Sequence, residues 1–243
     1  MSQSGPGSGP VSSSEIVDVV LLHSEEHDGG RYLRWRRVHL QNLRADGTRS
    51  AQYICEFSDR PRHGTDAVAV VLWRRSLQGQ GQGLGQIEVL LRRGLRPTLR
   101  FGRPSAGLAQ PDAAPYLHLT EVVAGILEDG DVGEAGILRR ASLEAWEEAG
   151  LRVDPSQIRL LGRVFLSPGM SPECCYLASA EVPHVDAAVP EGDGSPMEEG
   201  SRQRFVPLSE AIAQCDRGEI EDAKTEVLLR RLAAQLADRP PTT

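Results

Sequence analysis

Glu144, Glu147 and Glu148 are three carboxylates at i, i+3 and i+4 within LEAWEEAGL. On a helix of about 3.6 residues per turn those positions share one face. Like charges so placed repel each other, and a hard divalent cation that prefers oxygen ligands relieves the repulsion. Mg²⁺ is the expected ion, with Mn²⁺ as its substitute. A solvated acidic helix face has the same spacing, so spacing alone leaves both readings open.

The helix that carries them is legible locally. Residues 132–149 place apolar side chains at 135, 138, 141, 145, 146 and 149, and Gly150 stands where a C-cap belongs. A strand-like run, HLTEVVAGIL at 118–127, precedes it, followed by the acidic turn EDGD. A strand ending in Ala-Gly, then an acidic turn, then the carboxylate helix is a more specific arrangement than the glutamates alone.

Further elements must frame that unit. Three segments rich in Val, Leu, Tyr and Arg, at 15–22, 31–43 and 49–57, are separated by Asp-Gly turns and predict a small antiparallel sheet. Residues 66–75 and 86–96 predict two more strands joined by SLQGQGQGLG. No helix-forming stretch follows that glycine-rich segment to face a phosphate, so it reads as a hairpin loop. RLLGRVFLS and CCYLASAEV are strands flanking the turn PGMSPE, and PEGDGSPMEEGSRQ is an acidic loop. A short helix is expected after Pro207, with Ser209 as its cap, and a longer one in DAKTEVLLRRLAAQLA.

Residues 1–14 are Gly, Ser and Pro without hydrophobic period and predict a flexible tail. The expected division is this tail, an N-terminal β subdomain at 15–62, and a larger domain at 63–243. Strands before, between and after two helical regions give a mixed α/β (α+β) class, without regular βαβ alternation.

Composition limits the function. With 40% hydrophobic and 25% charged residues in 243, the chain is long enough for one well-buried core and a small second subdomain. A formal charge of -7 argues against a nonspecific nucleic-acid or acidic-membrane binder, which needs a basic face. A small anionic substrate remains open if a metal screens the charge. Lys224 is the only lysine; nearly all positive charge is arginine. Cys55, Cys174, Cys175 and Cys215 form no CxxC pair and no zinc spacing, so reduced structural cysteines are expected. No apolar run approaches the roughly 20 residues that span a bilayer, and no secretory segment is evident, so a cytoplasmic location is expected.

The stretch from Gly125 to Leu151 resembles the box of the Nudix hydrolases: a glycine, five residues, a glutamate, seven residues, then Arg-Glu, an aliphatic residue, any residue, Glu-Glu, any residue, Gly and an aliphatic residue. It departs in three ways. Asp131 stands for the first glutamate, Leu143 for the arginine, and the spacer is four residues longer, about one helical turn. Arg140, at i-4 from Glu144, has the spacing to supply the cation that Leu143 cannot, and Arg139 and Arg140 equally fit ordinary exposed helix arginines. Glu121-Val-Val-Ala-Gly125, the Ser167–Glu173 segment with its Ser-Pro-Gly, VLLRRGLR and GEIEDAKTEVLLRRL resemble the ADP-ribose and ADP-sugar pyrophosphatase branch.

That resemblance implies a Nudix-type α/β/α sandwich and metal-dependent hydrolysis of ADP-ribose, or a related nucleoside-diphosphate sugar, to nucleoside monophosphate and sugar phosphate. The alternatives are a UDP-sugar substrate or a non-catalytic nucleotide sensor. It implies Glu144 and Glu148 as principal metal ligands, Glu147 for a second metal or its waters, and the Ala124 carbonyl completing the cage. It points to Glu199 or Glu198 as general base. Arg93 and Arg96 would contact phosphate or ribose, Glu121 the sugar or a metal-bound water, and Gly169 the substrate within its Ser-Pro-Gly loop. It further implies a homodimer formed through segment 15–62.

Overall fold

The structure is a computed structural model that describes residues 14–28, 30, 32–60, 64–76, 86–103, 108–110, 112, 116–184 and 201–238. The expected tail and the glycine-rich hairpin loop lie essentially outside these residues. Two compact units divide the chain: Met1–Arg62 with Ser167–Pro172, and His63–Leu166 with Glu173–Thr243.

The first unit is an antiparallel sheet in the order β1 (Ile16–Asp28), β2 (Arg34–Arg44), β3 (Tyr53–Asp59). Gly47 takes the left-handed φ of +82° that the turn between β2 and β3 requires, and the Asp46 carboxylate accepts the Thr48 N–H at 2.9 Å. β1 runs well past the expected end at residue 22, because its charged half pairs across the strands: Arg36 holds Glu26 at 2.8 Å. Asp59, nearly buried, takes Arg34 at 2.8 Å and Arg36 at 3.2 Å. The Ser167–Pro172 turn joins this unit through the Ser58 N–H, which donates to the Met170 carbonyl at 2.9 Å.

The second unit is an α/β/α sandwich. Its sheet runs β10 (Arg202–Pro207), β5 (Ile87–Leu95), β4 (Ala67–Arg75), β9 (Cys174–Glu181), β8 (Arg159–Phe165), with β6 (His118–Glu121) paired to β5 and β7 (Val123–Ile126) to β4. β4 is buried on both faces, which is why AVAVVLW is continuously apolar. Side chains alternate between two cores. Val68, Val70, Leu72, Leu90 and Ala178 meet α2 (Gly133–Ala149) on one face. Ala69, Val71, Val89, Leu91 and Leu177 meet α3 (Leu208–Asp216) and α4 (Ala223–Ala237) on the other. Among the described residues no helix is long and apolar enough to cross a membrane.

Three local expectations change, and one short helix is additional. The run 118–127 is two strands, because the Val122 N–H leaves the ladder to donate to Thr225 Oγ1 at 2.9 Å, and the chain passes from β5 to β4. Residues 202–207, expected to be divided between the acidic loop and the approach to a helix, form β10 against β5. Pro207 occupies the N-cap of α3 and Ser209 lies inside the helix, with no side-chain cap bond. A six-residue helix, α1 (Pro97–Gly102), opens at Pro97, a residue whose fixed φ suits a first turn. All four cysteines are free, and burial pushes the Cys175 thiol up to about 12, which keeps it protonated.

Candidate active site

α2 is shaped to lie close on the sheet. Ala141, Ala145 and Ala149, each four residues from the next, form a fully buried ridge of small side chains. Gly136 packs against the Asp131 backbone where a Cβ would collide with main-chain atoms. Gly150 ends the helix at φ +63°, with its N–H on the Trp146 carbonyl at 2.9 Å and the Leu151 N–H on Ala145 at 3.1 Å. Trp146 is half-buried beneath the Arg152 guanidinium, 3.7 Å from the ring centroid. Glu144 and Glu148 flank the alanine ridge and are buried with it.

Glu148 is gripped from the sheet. Oε2 accepts the Ala124 N–H at 3.0 Å, and Oε1 pairs with Arg92 Nη1 of β5. The Gln203 amide of β10 donates to the Glu148 main-chain carbonyl. Glu144 rests on Gly125, and no Cβ fits between them. Its Oε1 lies 3.8 Å from Arg140 Nη1.

Arg140 is a hub, with Nε 2.8 Å from Asp131 and Nη2 2.9 Å from Glu128. Asp131 also takes Arg139 at 3.0 Å and the Glu128 N–H at 3.0 Å. Burial opposes ionisation of Asp131, but the Glu128 N–H and the two arginines outweigh it and hold the carboxyl below its usual range. Asp131, at the position of the pattern's first glutamate, thus latches the loop to the first turns of α2.

A second charged group lies on β6. Glu121, 1% exposed, takes Arg96 at 2.6 Å and Lys224 Nζ at 3.0 Å, and Lys224 also reaches Asp222 at 2.7 Å. Glu121 presses on Gly94, where a side chain would displace its carboxylate. Burial disfavours the Lys224 charge, yet Asp222 and Glu121 more than offset that and raise its pKa.

The three-carboxylate convergence expected from spacing is not assembled. Among the described residues no three His, Cys, Asp or Glu side chains form a ready metal cage, and Glu147 is half-buried while Glu144 and Glu148 are buried. Helical spacing sets the direction of a side chain, but the sheet decides which are covered. Arg96 is brought to Glu121. Arg93, expected to contact phosphate, is exposed on the strand face opposite Leu90 and Arg92. Its neighbour Arg92, absent from the expected set, is the arginine that reaches Glu148. The signal was its two-residue spacing from Leu90, which faces α2. Gly169 sits in the Ser167–Pro172 turn of the first unit. Glu198 and Glu199 lie outside the described residues.

The residues present nonetheless suit an oxygen-loving divalent ion. The bond from the Leu127 N–H to the Asp66 carbonyl, 2.9 Å, sets the phase of the β4–β7 ladder, so Ala124 is a non-hydrogen-bonded position. Its N–H and its carbonyl therefore both turn away from β4, the side on which Glu148 meets the N–H. Two buried carboxylates one helical turn apart and a main-chain carbonyl are oxygen donors of the kind Mg²⁺ takes.

No family model matches the sequence. A GDP-mannose pyrophosphatase of Yersinia pestis is 31% identical over 198 residues, spanning 81% of this chain and 84% of that protein. A GDP-mannose pyrophosphatase of Citrobacter koseri is 35% identical over 115 residues, 47% of this chain; the chain spans 56% of that relative's length. A solved structure described as an ADP compounds hydrolase superposes with a TM-score of 0.61, covering 93% of this chain and 97% of that one at 15% identity, a likeness of fold.

Proposed function

We propose that this chain, which belongs to the Nudix hydrolase family, cleaves the diphosphate bridge of a nucleoside-diphosphate sugar to a nucleoside monophosphate and a sugar phosphate. The observation that carries the reading is the pair of buried carboxylates, Glu144 and Glu148, set against the Ala124-Gly125 main chain. A buried acidic pair beside a main-chain carbonyl suits a cation better than it suits a solvated helix face.

Glu144, Glu148 and the Ala124 carbonyl would hold the ion, Mg²⁺ or Mn²⁺, with Glu147 available to a further one. Bound there, a divalent ion supplies charge neutralisation on the phosphoryl oxygens and acidifies a water. The chain's own residues do the rest. Arg96, 41% exposed and braced by Glu121, presents guanidinium N–H groups to a phosphate or ribose. Glu199, or Glu198, takes the proton of the attacking water. Among sugar nucleotides, GDP-mannose is supported by the relative that matches over most of its length, and ADP-ribose by the Glu121–Gly125 and Ser167–Glu173 resemblance.

We also propose a homodimer through the first unit. β1 is an edge strand of thirteen residues with Ile16, Val17, Val19, Leu21 and Leu22 exposed, an apolar edge that pairs or aggregates unless covered.

The test is turnover of a sugar-nucleotide panel that includes GDP-mannose, ADP-ribose and a UDP-sugar, with and without Mg²⁺. One or two should be cleaved, and Glu148→Gln should lower kcat by on the order of 10³-fold, equivalent to about 4 kcal/mol. Nucleotide binding without any turnover would instead mark a sensor.

A further inference from the structure

We infer that Arg92 is a resident counter-cation for Glu148, occupying that carboxylate before a divalent ion does and giving it up when the ion binds. The inference rests on the proposed role of Glu148 as a metal ligand. It adds a positioning residue that neither the box pattern nor the relatives' names assign.

The argument begins with charge. Glu148 and Arg92 are 8% and 5% exposed, and a buried carboxylate without a cation carries a heavy desolvation penalty. The two arginines of α2, Arg139 and Arg140, both meet Asp131. Leu143 stands where the box pattern has arginine and is 41% exposed. Arg140 is committed to Asp131, Glu128 and Glu144. The compensating charge arrives instead from β5, where strand alternation puts Arg92 on the α2 face with Leu90.

The guanidinium is also held from behind. Arg92 Nε faces Ser201 Oγ at 3.4 Å, and Gln203, the register partner of Arg92 on β10, fixes the Glu148 main chain. With Arg92 on Oε1 and the Ala124 N–H on Oε2, the carboxylate is held on the side to which the Ala124 carbonyl also turns. A divalent ion bound by Glu148 meets the same negative charge that Arg92 neutralises. The two cations compete electrostatically, so Arg92 weakens metal affinity while stabilising the metal-free fold.

Thermal unfolding of the full chain, in EDTA and across a Mn²⁺ titration, combined with direct Mn²⁺ binding by electron paramagnetic resonance, tests this without reference to turnover. Arg92→Met should melt lower in EDTA by on the order of 5–10 °C, recover most of that loss on adding Mn²⁺, and bind Mn²⁺ about tenfold more tightly than the wild type. Arg92→Lys, which keeps the charge, should fall between them and serves if the methionine variant does not fold. Equal metal-induced shifts and equal affinities in wild type and variants would overturn the inference, as would weaker Mn²⁺ binding by Arg92→Met. Absence of any Mn²⁺ binding or shift in the wild type would overturn the metal-ligand assignment of Glu148 itself, and the inference with it.

Discussion

Gly125 and Glu144 touch so closely that the carboxylate fills the space a Cβ would need. The last residue but one of β7 therefore determines where the first glutamate of the helix lies, although 19 positions separate them in the sequence. Gly125→Ala should move Glu144 off the strand. Activity should fall on the order of 100-fold, while urea denaturation shows a loss of about 1–3 kcal/mol, the usual cost of overpacking. Full activity in this variant would remove Glu144 from the catalytic arrangement.

Asp131 makes the acid sensitivity of the helix start predictable. Its folded-state pKa lies below the ordinary value, so its contribution is complete above the unfolded pKa, about 3.9, and is lost as pH falls through the folded value. Asp131→Asn should cost about 1–3 kcal/mol at pH 7, through loss of the charged hydrogen bonds to Arg139 and Arg140. The stability difference from wild type, followed by denaturant melts from pH 7 to pH 2.5, should shrink below about pH 4. A difference independent of pH would show that the latch does not depend on its charge.

Lys224 couples α4 to β6. Lys224→Met leaves Glu121 buried against Arg96 without the ammonium and deprives Asp222 of a partner, which should destabilise the second unit by about 3 kcal/mol. The loss should appear as a lower denaturation midpoint with an unchanged slope. Retained stability would mean that Arg96 alone satisfies Glu121.

For the dimer, Val19→Glu with Leu21→Glu places two charges on one face of the exposed apolar strand. Light scattering coupled to size exclusion should report twice the chain mass for the wild type and the single mass for the double variant. Two monomers would overturn the proposed interface.

The helix and most strands were legible because their signals are local. Gly150 caps α2, the alanines mark its buried side, and alternation or continuous apolarity marks each long strand. What escaped depends on distant partners. Arg92 and Arg93 are adjacent and chemically identical, and only the pairing of β5 with β6 and β10 decides which faces α2. The break at Val122 depends on the hydroxyl of Thr225, 103 residues away. β10 is six residues long and takes its place from β5, not from its own composition.

The central place of β4 bears on how the chain is made. Its parallel neighbour β9 pairs Ala67 with Cys175, 108 positions later. At about 5–20 residues per second, a ribosome releases β4 roughly 5–20 seconds before β9. During that interval the apolar run from Val68 to Trp73 lacks the strand that flanks it, so nascent chains should engage a chaperone there, and refolding in vitro should be slowed by this long loop closure.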